Sequence, residues 1–176
     1  VRIYAIRAAF GFGSMMAIWS CLAFHLAQPP FRAGSDMVGT LGLCGIMGAV
    51  AASGIGKQIP KFGIHNFSLF GAATQIVAWA IALFFGDTYA GLIAAIILVD
   101  IGLQCQQLSN QSGYLQEIPQ AANRANTIFM TTYFIGGSLG TFCAGYVWNR
   151  ANWLGVCIVG MTFALTSLAI TLCNRK

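Results

Sequence analysis

Asp100, Gln104, Gln107 and Gln111 fall at i, i+4, i+7 and i+11. On a helix that spacing puts one carboxyl and three amides on a single face. The stretch that carries them, from Tyr89 to Ser109, is otherwise mostly apolar and long enough to cross a bilayer. An ionised carboxylate at the middle of such a helix costs about 2.5–3.5 kcal/mol on insertion scales. The stripe therefore belongs against protein or water, not lipid. Two readings stand for Asp100: a group that couples to a proton or binds substrate, and a structural partner of a Ser, Thr or Asn on a neighbouring helix. The glutamines hold both donors and acceptors, which suits a polar cavity and equally suits gluing helices together.

The first apolar run offers a second set. Ser14, Cys21 and His25 share one helical face, with Trp19 and Ser20 nearby. His25 near the end of its run can titrate around neutral pH or simply be solvated at an interface. Trp19 can stack on an aromatic or cationic solute, or pack. Arg7 reads as an anchor that snorkels to the membrane edge.

Six apolar runs of 19 to 23 residues carry these groups: 5–27, 37–56, 67–85, 89–109, 127–147 and 153–173. A hydrocarbon core about 30 Å thick needs roughly 20 helical residues. The runs do not alternate as barrel strands would, and in lipid a helix satisfies its own backbone. The expectation is an all-α membrane bundle of six transmembrane helices. Pro29 and Pro30, the Gly56–Gly63 stretch around Pro60, the turn at Gly86-Asp87-Thr88, a long loop from Asn110 to Asn126, and Asn149 to Asn152 separate them.

Composition agrees: 57% of residues are hydrophobic and 7% charged, against about 25% charged in soluble domains. The net charge of +5 is scattered over loops and ends, with no basic stripe for nucleic acid. With both termini on one side, seven of the nine basic residues fall there, and only Arg32 and Arg150 opposite. The positive-inside rule then puts both termini in the cytoplasm. Trp148, Trp153 and Tyr89 fall where an aromatic belt belongs. The six cysteines show no C-x-x-C spacing and read as small buried hydrophobes, without a metal site. Clustered His, Asp or Glu that an enzyme would need is missing from the sequence. The chain starts at Val1, not Met, and reads as a fragment of a longer protein.

Glycines mark close approaches. The second run carries Gly39, Gly42, Gly45 and Gly48 at three-residue spacing; the fifth carries Gly136, Gly140 and Ala144 at four-residue spacing. Small residues let helices approach in lipid, where packing drives association. They serve packing within the bundle, or a sliding interface with a partner bundle. Polar first and fourth runs, glycine-rich second and fifth, and plain third and sixth repeat every three helices, as an inverted 3+3 repeat would.

On these residues the chain resembles the C-terminal half of a major facilitator superfamily transporter, in the bacterial drug:proton antiporter and sugar-efflux branch. The loop Gly56-Lys57-Gln58-Ile59-Pro60-Lys61-Phe62-Gly63-Ile64-His65 is similar to the family's G-x-x-x-D-R-x-G-R-R motif. Gly56, Lys61 and Gly63 fit; Pro60 stands where the acid belongs and Ile64 where a base belongs. A second similar stretch runs through Asp100-Ile101-Gly102, Asn110-Gln111, Ile118-Pro119, Arg124-Ala125-Asn126-Thr127 and Phe134-Ile135-Gly136-Gly137 to Gly140. The resemblance implies one half of a twelve-helix fold and alternating access by two rocking bundles. It also implies efflux of a small organic solute, with a proton gradient as energy source and no cofactor. Asp100 would couple the proton. Ser14, Trp19, Cys21, His25, Gln104, Gln107 and Gln111 would face the cavity. The loop of Gly56, Lys57, Lys61 and Gly63 would latch the cytoplasmic side. The implied partners are the lipid bilayer, the solute, and an N-terminal six-helix half or a second copy. The rival readings are a six-helix structural or assembly subunit without transport activity and a homodimeric half-transporter.

Overall fold

The computed structural model describes residues 1–46, 50, 54, 59 and 61–174, and it is helical, with no strand among those residues. In chain order the helices are α1 (Arg2–Ala27), α2 (Ser35–Gly42), α3 (Ile64–Phe85) and α4 (Tyr89–Glu117). A single 3-10 turn (Pro119–Ala121) then leads into one helical run, Ala122–Cys173. Asn152, at φ 46° and ψ −140°, breaks that run into α5 (122–151) and α6 (153–173). The chain folds back there. Gly13 lies against both Gly136 of α5 and Phe163 of α6, residues that a straight helix would hold about 40 Å apart.

Among the described residues four helices are long and apolar enough to cross a membrane: α1, α3, α4 and the run Pro119–Cys173. With that length and composition the chain is an integral membrane protein. Of the expected second span, 37–56, the helical part described is Ser35–Ile46; Gly48, Gly56, Lys57 and Pro60 lie outside the described residues. α4 runs two turns beyond the expected end at Ser109. Its tail is anchored, because buried Tyr114 donates from its hydroxyl to Asn126 Oδ1 at 2.8 Å.

α1 is the centre of the bundle. It packs most heavily on α5 and α6 and also on α4, while α3 pairs with α4 and reaches α6. The crossings run through glycines. Gly71 of α3 and Gly102 of α4 face each other so closely that a Cβ on either would meet the other's carbonyl oxygen. Gly136 sits on Ala9 and Gly140 on Gly13, backbone against backbone. One apolar core, with Ile18, Leu22, Trp79, Ile96, Val99 and Val156, fills the half away from the termini. A smaller one, with Ala8, Leu103, Tyr114, Phe129 and Tyr133, fills the other. Val1, Arg2 and Asn174 line one recess, so both ends of the described chain lie at the same end of the bundle.

Candidate functional site

Asp100 sits midway along α4 and is 9% exposed. Trp19 of α1 donates its indole N–H to Asp100 Oδ1 at 3.3 Å. Oδ2 points toward the start of the second apolar run, 3.6 Å from where a Cβ on Gly45 would stand. Among the described residues Oδ2 accepts no hydrogen bond, and no cation pairs with the carboxylate. Three segments thus meet at an acid that is shielded from lipid and held by one weak donor.

The glutamines of the stripe are half-buried. Gln107 Oε1 accepts from the Tyr133 hydroxyl at 3.1 Å, and that Tyr133 ring stacks on Phe12 with centroids 4.1 Å apart. Gln104 and Gln111 have no hydrogen-bond partner among the described residues, so this face of α4 keeps unspent amides beside the acid.

The residues expected on α1 separate. Only Trp19 reaches Asp100. Ser14 is fully buried, accepting from Trp79 Nε1 at 2.7 Å and donating to the Gly160 carbonyl at 3.0 Å. Cys21 is fully buried in the larger apolar core. His25 lies at the far end of the bundle, 3% exposed, with Nε2 2.9 Å from the Gly86 carbonyl. Its ring stacks on Trp153 at 3.9 Å. Trp153 is therefore not a belt residue: it is 9% exposed, and its indole donates to the Ala82 carbonyl at 2.9 Å. Arg7 is not a snorkelling anchor either. It is 3% exposed inside the bundle, and Nε donates to Asn110 Oδ1 at 2.6 Å.

The glycines divide likewise. Gly136 and Gly140 are spent inside the chain, on α1. Gly39 and Gly42 are exposed, with nothing within 4 Å of an added Cβ. Of the loop motif, Lys61 is exposed, with its ammonium 5.3 Å from the centroid of the Phe62 ring. Gly63, at φ 85°, caps the start of α3 in a backbone conformation that favours glycine.

The polar centre of the bundle lies on a different face of α4 from the stripe. Gln106 Nε2 donates to Gln75 Oε1 at 2.8 Å, and Gln106 Oε1 accepts from Ser167. Gln75 Nε2 donates to the Gly11 carbonyl at 3.0 Å, and the Arg7 carbonyl, 3.0 Å from the Ser167 hydroxyl, competes for its single proton. Gln75, Gln106 and Ser167 are fully buried. They tie α1, α3, α4 and α6 together, and the stripe-based reading passed over them. Their mark in the sequence is the isolated polar residue in an apolar run, Gln75 and Ser167 above all, which in lipid serves as interhelical glue.

Comparison with known proteins gives a consistent frame. The chain is 33% identical over 171 residues to the uncharacterized transporter YgaY of Escherichia coli O157:H7, covering 97% of this chain and 43% of that protein. It is 30% identical over 157 residues to a Streptomyces coelicolor protein named "Probable transporter SCO4007", covering 88% of this chain and 36% of that one. The chain thus spans less than half the length of the curated relatives it matches. No protein-family model matches it, and no solved structure does.

Proposed function

We propose that this chain is a six-helix half of a secondary active transporter of the major facilitator type, moving a small organic solute by alternating access. In this reading Asp100 couples transport to protons, and Gln104, Gln107 and Gln111 face the solute pathway. The basic residues at the Val1 and Asn174 end support cytoplasmic termini, and export across a bacterial inner membrane is what the family resemblance adds to the proposal. The observation that carries the reading is the two-faced α4. One face is closed by the Gln75–Gln106–Ser167 bonds. The other keeps a buried acid and half-buried amides with little to hold them. Relatives named transporters, more than twice as long, leave room for a second bundle against that open face.

Alternating access needs a ligand or proton that binds one state better than the other. Protonating Asp100 removes a buried charge, and so changes the cost of enclosing that face against a second bundle. Trp19 orients the carboxylate. Gly39 and Gly42 offer the second bundle a surface without side chains. The test is Asp100→Asn in the full-length protein, assayed as solute flux driven by an imposed proton gradient in vesicles. Loss of gradient-driven flux with solute exchange retained is expected. Gradient-driven flux equal to wild type would take Asp100 out of the mechanism.

A further inference from the structure

Among the described residues Arg7 has no carboxylate partner to neutralise its charge. The chain has four acidic side chains, Asp36, Asp87, Asp100 and Glu117. Asp36 is exposed in the first turn of α2, Asp87 lies near His25 at the opposite end, and Asp100 is held by Trp19. Glu117 stands exposed at the rim, where its carboxylate accepts from the Tyr4 hydroxyl at 3.0 Å. Among the described residues Arg7 meets only the Asn110 oxygen on Nε and the Tyr4 ring at 5.3 Å. Its Nη2 is buried with no hydrogen-bond partner, and the same holds for Asn110 Nδ2, His65 Nε2 and Ser68 Oγ.

Two of these orphans line one recess, and the other two lie next to them. Arg7 and His65 both line a recess of about 690 Å³ at the Val1 and Asn174 end, together with Arg2, Tyr4, Asn66 and Glu117. Asn110 is bonded to Arg7, and Ser68 is one helical turn from His65. Water can satisfy an amide or an imidazole, but it does not neutralise a guanidinium, and a buried charge left uncompensated is strongly unfavourable. A planar guanidinium matches the oxygens of an oxyanion and holds them with charge-assisted bonds. Arg7 of α1 and His65 of α3 line the recess, and the Asn110 amide of α4 stands directly behind Arg7. The volume is far larger than a monatomic anion requires.

We propose that Arg7, with the Asn110 amide and the His65 imidazole, binds a phosphate group at this end of the bundle, carried by a free anion or by a lipid headgroup. The site is separate from the Asp100 face and independent of the transport reading. The full-length protein, stripped of lipid in a phosphate-free detergent, would be melted against inorganic phosphate, with sodium chloride at equal ionic strength as control. A parallel arm would titrate phosphatidylglycerol into the micelles. Saturable stabilisation by inorganic phosphate identifies a free anion; stabilisation by phosphatidylglycerol alone identifies a headgroup. Asn110→Asp gives Arg7 a carboxylate of its own, so it should keep the fold and lower the apparent affinity at least tenfold. It also serves where Arg7→Gln does not fold. A wild type that responds in neither arm, or an Asn110→Asp variant that responds equally, overturns the site.

Discussion

Replacing Gly140 by Ala tests the packing that centres the fold on α1. A Cβ at Gly140 would stand 2.6 Å from the Cα and carbonyl carbon of Gly13. Non-bonded carbons rest at about 3.5–4.0 Å, so α1 and α5 must part by about 1 Å. The obstructing atoms are backbone and cannot rotate away. Overpacking of this kind costs about 1–3 kcal/mol, and a rigid obstacle argues for the upper part of that range. Alanine also gains about 1 kcal/mol over glycine in a helix, which masks part of the loss. Gly145→Ala removes the ambiguity. It lies on the same helix, makes the same propensity gain, and has nothing within 4 Å of the new Cβ. The difference between the two variants is then the steric cost alone, about 2–3 kcal/mol. Equilibrium unfolding in mixed micelles of fixed composition would measure it. Gly136→Ala should behave as Gly140→Ala does, because its Cβ would meet the Ala9 backbone. The pair together should cost less than the sum, since parting the helices relieves both clashes. A Gly140→Ala variant as stable as Gly145→Ala would mean that α1 and α5 do not meet through these glycines.

Gln106→Leu should destabilise by about 2–3 kcal/mol, because it leaves Gln75 Oε1 without a donor in an apolar interior; adding Gln75→Leu should recover part of the loss in the same unfolding assay. Asn152→Gly should raise the melting temperature, by about 1 kcal/mol in stability, since φ 46° with ψ −140° is a region that costs any side chain about 1–3 kcal/mol. Asn152→Val should lower it.

The long apolar stretches were legible because lipid demands length and hydropathy together, and both are written in the order of residues. The turn at Asn149 to Asn152 was legible for a similar reason: Asn is among the few side chains that tolerate positive φ, and the break falls on Asn152. Rotation about each helix was not legible. In a soluble helix the apolar face marks the inside, but here lipid and core are equally apolar. Spacing alone therefore picked out the stripe at Gln104, Gln107 and Gln111, and missed Gln106, one residue away and fully buried. The same blindness affected Arg7. A basic residue near the end of a run looks like an anchor unless one knows that Asn110 is there to receive it. Glycine spacing showed that some helix approaches closely at Gly136 and Gly140, but could not say that the helix is α1.

The division of α4 into a closed face and an open one has a mechanical consequence. Gln106 links α4 to α3 and α6, and the carbonyls of Gly11 and Arg7 join α1 to the same cluster. Hydrogen bonds of this kind, buried in a low-dielectric interior, are costly to break one at a time. Glycine crossings at Gly71–Gly102, Gly136–Ala9 and Gly140–Gly13 leave no slack for helices to slide. So α1, α3, α4, α5 and α6 form one stiff body, and protonation at Asp100 has little inside that body to rearrange. If Asp100 has the role proposed for it, its effect must pass through the open face of α4, beside Gly39, Gly42 and the half-buried glutamines. Under the proposed transport reading, such a stiff unit with one soft polar face suits rigid-body rocking against a second bundle.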